Sequence, residues 1–160
     1  MELKVVKLQI PEGANVILGQ SHFIKTVEDL YEIMVTRVPE AKFGIAFCEA
    51  SGHCLIRSEG NDPEMVEVAR ENASDLAAGH SFVIAVKHAY PIQFLNAVKG
   101  CQEVCTIYCA TANPVEVIVA QTGQGRGIMG VIDGSTPAGT EDEDGVRWRK
   151  TLLRDFGYKL

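Results

Sequence analysis

Long apolar runs are missing from this 160-residue sequence. No stretch reaches the ~18 consecutive apolar residues of a membrane helix. The opening MELKVVKLQIPEG lacks a signal peptide's apolar core and cleavage site, so the expectation is a cytoplasmic protein. Basic residues are in deficit, 15 Lys and Arg against 21 Asp and Glu, for a formal charge of -6. That balance speaks against a nucleic-acid binder, which carries a basic footprint, but not against a small anion in a local basic pocket. The five cysteines are odd in number and include no CxxC, and no histidine stands near them at zinc-like spacing. They are therefore expected to be reduced, structural and mostly buried rather than zinc or iron–sulfur ligands. GxSxG, HExxH, HRD and DFG are all absent, which removes the commonest hydrolase and protein-kinase signatures.

What is present describes an ordinary globular chain. Hydrophobic residues make up 46%, charged residues 22%, and no repeat or low-complexity tract interrupts residues 1–160, so a single domain is expected. ELKVVKLQI and NVILG read as strands. A helix follows from Thr26, its expected N-cap, with Val27, Leu30, Tyr31, Met34 and Val38 at helical spacing. KFGIAFCEA and CLIRSEG pair across Ser51-Gly52. Asp62 and Pro63 open a second helix whose apolar side is Met65, Val66, Ala69, Ala73, Leu76 and Ala77, stopping at Gly79. HSFVIAVKH, VCTIYCATA, VEVIVAQT and GIMGVIDG supply further strands, with a short helix after Pro91. A last helix carries Val146, Trp148, Leu152, Leu153 and Phe156. Pairs of strands between single helices predict an α+β fold, a mixed central sheet covered by three or four helices.

Four segments hold more polarity than folding requires. GQSHFIKT sets Gln20, Ser21, His22 and Lys25 between a strand and a helix N-terminus, which suits an anion or merely caps the connection. In AAGHSF, His80 follows a helix stop and is either a hydrogen-bonded structural residue or a functional imidazole; His88 is expected to be exposed. In QTGQGRGIMG, Gly123, Gly125 and Gly127 let backbone amides approach a ligand and Arg126 adds a planar cation suited to phosphate. The alternative is a plain glycine-rich hairpin, since neither Walker nor dinucleotide spacing is met. Asn113, in CATANPVEV, suits a base or ribose edge, or an Asx-turn. Asp62 is expected to be a helix cap before it is a Mg²⁺ ligand.

These segments, with FGIAFCEASG, GND, AYPI-x-x-LNAVK, EVCTIYCATANPVEVIVA and the terminal VRWRK-x-x-LR-x-FGY, resemble the adenosine-specific kinase family in order along nearly the whole chain. The resemblance implies a fold distinctive to that family, a trimer-based homo-oligomer, and binding of adenosine nucleotides (ATP, ADP or AMP). It also implies kinase-like phosphotransfer through a phosphohistidine, assigned to His80 with His22 second. Lys25, Gly125, Arg126 and Gly127, with Mg²⁺ as a candidate companion, would then neutralise the transferring phosphate. No carboxylate pair for two metals is evident, and the phosphoryl acceptor is not legible. The rival readings are a non-catalytic adenine-nucleotide sensor and a trimeric structural module.

Overall fold

A computed structural model describes all 160 residues. Its strands are β1 (Glu2–Lys7), β2 (Ala14–Ser21), β3 (Lys42–Cys48), β4 (Ile56–Gly60), β5 (Ser81–Lys87), β6 (Val104–Thr111), β7 (Val115–Gln121) and β8 (Arg126–Asp133). The helices are α1 (Thr26–Arg37), α2 (Pro63–Leu76), α3 (Leu95–Lys99) and α4 (Glu143–Asp155). The α+β class holds. The strands divide, however, into two sheets rather than one mixed sheet: a five-stranded one ordered β4-β3-β5-β2-β6 and a three-stranded one ordered β1-β7-β8. Every strand ladder is antiparallel.

Alternation along the central strands explains the layering. Val16, Leu18, Ala46, Val83 and Ala85 join Met65, Ala69, Ala73 and Leu76 of α2 and Val117 and Val119 of β7 in one core. Their neighbours Ile17, Phe43, Ile45, Phe47, Phe82 and Ile84 point the other way, onto Val27, Leu30 and Met34 of α1 and Val98 of α3. The five-stranded sheet is thus covered by α1 and α3 on one face, and by α2 and the second sheet on the other. Gly44 lets α2 lie directly on β3, because a Cβ there would stand 2.2 Å from the Met65 carbonyl carbon.

Helix ends account for the local differences from expectation. Asp62 is the α2 N-cap, its Oδ1 accepting the Met65 N–H at 3.0 Å. The stop comes at Ala77, left-handed at φ 48°, two residues before Gly79. Thr26 does not cap α1; its hydroxyl donates to the Phe23 carbonyl at 2.6 Å, and Lys25 occupies the cap position in helical geometry. On α2, Ala77 is exposed, whereas Asn72 is fully buried, exchanging hydrogen bonds of 2.7 and 2.8 Å with the Gln9 backbone. Of the cysteines only Cys48 and Cys109 are buried. Cys54 lies on the β3–β4 turn, Cys105 is exposed on edge strand β6, and all five are free thiols. No helix is long and apolar enough to cross a membrane.

Candidate functional site

The loops at one end of the two sheets enclose a cleft of about 830 Å³, within the size range of small-molecule sites. Its walls are the β3–β4 turn (Glu49, Cys54, Leu55), the C-terminal turn of α2 (Ala73, Ser74, Ala77), Gly79 and His80, and the β7–β8 hairpin with Gly125, Arg126 and Gly127. Gln20, at the end of β2, completes the lining and receives a hydrogen bond from the Tyr108 hydroxyl at 3.3 Å. Folding therefore brings together His80 and the glycine–arginine loop, which lie far apart in sequence.

His80 does not sit within a strand, as its sequence neighbours suggest. It occupies the turn between α2 and β5 in left-handed geometry, φ 63°, a conformation sparsely used by non-glycine residues and enriched at functional sites. Backbone bonds hold it on both sides: its N–H donates to the Cys48 carbonyl at 2.8 Å, and its carbonyl accepts the Ser21 N–H at 2.9 Å. The half-exposed ring stacks on Phe47 with centroids 5.7 Å apart. Gly79 is required beside it, since a Cβ at that position would meet the Ala50 Cβ at 2.9 Å. His22 follows Ser21 in the adjoining strand end but is exposed and does not line the cleft. His88 is exposed, as expected.

Arg126 faces the cleft, yet much of its guanidinium is already engaged. Nη1 donates to the Asp75 and Leu76 carbonyls at 2.9 and 3.4 Å, and Nε donates to Gln121 Oε1 at 3.1 Å. It thus serves the unpaired carbonyls and negative dipole end of α2, leaving the Nη2 amino group for a ligand. A two-pronged grip on phosphate would require it to release either the helix, for Nη1 with Nη2, or Gln121, for Nε with Nη2. Across the cleft, Glu49 ion-pairs with Arg57 at 3.2 Å. The Leu55 N–H at 2.9 Å holds the Glu49 carboxylate below its ordinary value, outweighing a smaller effect of burial, and Arg57 adds to the depression.

Two more sequence candidates, besides His22, lie elsewhere. Lys25 donates a hydrogen bond to Asp29 and ion-pairs with Glu103 at 3.1 Å, and these two carboxylates, Asp29 most, raise its pKa. Asn113 stands at the other end of β7, roughly 20 Å of strand from the cleft. There its N–H reaches Thr111 Oγ1 at 3.0 Å and its amide donates to Asp133 at 3.1 Å, which is the turn role. Glu49, Cys54 and Gln124 were not singled out in the sequence, although Glu49 falls inside the FGIAFCEASG segment. As for Mg²⁺, the cleft offers one carboxylate, Glu49, already committed to Arg57 and Leu55. An ion there would depend on phosphate oxygens and water, as Mg²⁺ commonly does.

Fold and cleft together describe an α+β protein with a pocket of small-molecule size, lined by one imidazole and an arginine-bearing glycine hairpin. The chain belongs to the adenosine specific kinase family, whose model matches residues 6–159. It is similar over 99% of its length to the crystal structure of the PH1918 protein from Pyrococcus horikoshii OT3, at 44% identity, 98% coverage of that chain and a TM-score of 0.95. A comparison with curated proteins finds no match.

Proposed function

We propose that this chain is an adenosine-nucleotide phosphotransferase in which His80 carries the phosphoryl group. The observation behind this reading is the cleft itself, where His80 shares walls with Gly125, Arg126 and Gly127. The imidazole lone pair attacks the γ-phosphorus, the bond to the bridging oxygen breaks, and ADP leaves; the N–P bond then passes the group to an acceptor. The free amides of the hairpin and Nη2 of Arg126 receive the phosphate charge. Arg126 also caps the last carbonyls of α2, so its cation offsets the negative helix end beside which the phosphate would lie. Within this reading the protein works in the cytoplasm, where ATP is abundant.

Radiolabelled γ-phosphate ATP tests it. An acid-labile, base-stable adduct is expected on the wild type, lost in His80→Asn and retained in His22→Asn. Loss in His22→Asn alone reverses the assignment, and no wild-type adduct favours the sensor reading. ATP at 100 times its dissociation constant adds about 2.7 kcal/mol of stability. Equal shifts from GTP and CTP remove the adenine specificity.

Self-association is part of the same proposal. The isolated chain exposes 9518 Å², about a fifth more than the roughly 7,900 Å² of a compact monomer of this mass. The excess lies on α4, which has no buried residue, and on the outer face of the three-stranded sheet, where Leu3, Val5, Met129 and Ile132 are at least half exposed. Copies of the chain fit such a surface, with three protomers expected by sedimentation. Trp148→Glu should shift them toward monomer; a wild type that sediments as a monomer ends the idea.

A further inference from the structure

We propose that Asp29, Cys101 and Glu103 form a site for one divalent ion of zinc-like character, with the Lys25 ammonium standing in for the metal in its absence. Asp29 lies in the first turn of α1, and Cys101 and Glu103 lie on the connection from α3 to β6. The donor atoms of these three residues fall within 4.8 Å of one another. Cys101 Sγ is 3.0 Å from Glu103 Oε2 and 4.0 Å from Asp29 Oδ2. A tetrahedral ion with zinc–sulfur and zinc–oxygen bonds of ordinary length requires such an edge to measure about 3.6 Å, midway between the two. Shifts of about 0.4–0.6 Å at these two edges, with the Lys25 ammonium moved aside, turn this arrangement into a coordination shell.

Glu103 points independently to a missing ligand. Its side chain is only 5% exposed, and Oε1 is shut off from solvent without receiving a hydrogen bond. The Lys25 ammonium is 3.1 Å away, so the oxygen is matched in charge but not by a directed donor. A spherical cation has no such angular requirement. One ammonium also faces two carboxylates and a thiol, leaving acidic donors in excess.

The same cluster opens on a second cleft of about 870 Å³, lined by Asp29, Cys101 and Asn96, which supplies an entry path and water for a fourth ligand. Lys25, 42% exposed, can swing outward as the metal enters, and the thiol proton leaves to solvent. One sulfur with two carboxylates selects a borderline ion such as Zn²⁺ over Mg²⁺ or Ca²⁺, which prefer all-oxygen shells. The donors come from segments distant in sequence, so cysteine spacing gave no sign of the site. Around Glu103, burial resists ionisation, but the Cys101 thiol donating at 3.0 Å and the neighbouring Lys25 ammonium overcome it and hold the carboxyl at about 2. Burial and Glu103 push the Cys101 thiol up to about 11.

The experiment titrates the metal-free full chain with Co²⁺ and then Zn²⁺. One Co²⁺ per chain should bind with a thiolate-to-metal charge-transfer band that Zn²⁺ abolishes. Cys101→Ala should lose the band, whereas Cys54→Ala and Cys105→Ala, which alter the exposed cysteines, should keep it. Lys25→Met removes the resident cation and should tighten Zn²⁺ by about tenfold. No band in the wild type, or a band that survives Cys101→Ala, overturns the site. Unchanged or weaker Zn²⁺ binding in a folded Lys25→Met overturns the stand-in role of the lysine.

Discussion

Replacing Arg126 with alanine asks whether this arginine serves the ligand alone or also the scaffold. Its guanidinium spans from Gln121 on β7 to the last carbonyls of α2, so its loss should be felt before any nucleotide is added. A hydrogen bond from a charged donor contributes about 1.5–3 kcal/mol when well shielded, and a cation at a helix C-terminus about 0.3–1 kcal/mol. The Asp75 carbonyl is exposed and the Leu76 contact is long at 3.4 Å, so water recovers part of both. Roughly one full charged bond plus the dipole contribution remains, about 2 kcal/mol. For a chain of this length that is a fall of about 4–8 °C in Tm. Urea unfolding of Arg126→Ala without nucleotide measures it directly. Arg126→Lys should restore about 1 kcal/mol, because it returns the charge but not the planar fork that reaches both Gln121 and α2. If Arg126→Ala unfolds within about 0.5 kcal/mol of wild type yet loses ATP binding, the latch reasoning is wrong and the residue serves phosphate only.

Three further outcomes are expected. Gly44→Ala drives a methyl into the α2 backbone and should cost at least about 1–3 kcal/mol in chemical denaturation; a neutral result would mean α2 does not rest on β3. Asn72→Ala leaves the Gln9 amide and carbonyl without partners and should cost about 1–3 kcal/mol, with faster hydrogen exchange at Gln9 as its local sign. The Glu49 carboxyl has a folded pKa below its ordinary 4.5, so its stabilisation is complete above that value and lost as pH falls through the folded value. Tm measured against pH should accordingly drop less steeply below about 4.5 in Glu49→Gln than in wild type; parallel curves would contradict it.

Local chemistry alone settled a good deal about this protein. The Asp62-Pro63 pair specified a helix start because a carboxylate and a fixed φ act within one turn, and the uninterrupted apolar run FVIAV specified a strand, which the fold buries on both faces. The strands and helices of the α+β class followed from such short-range patterns, and the ordered motifs carried the family. Whether strands joined one sheet or two depended on which distant edges met, and no local period encodes that. The same limit governs the site. His80 and Arg126 face one cleft only because the α2–β5 turn and the β7–β8 hairpin reach the same end of the fold, while Asn113, equally polar in sequence, is carried to the far end of β7. Lys25 looked like a free cation beside a helix start, but the chain returns through residues 101–103 and supplies Glu103 as its partner. Residue type and spacing determined which side chains were capable of chemistry; long-range packing decided which were left free to perform it.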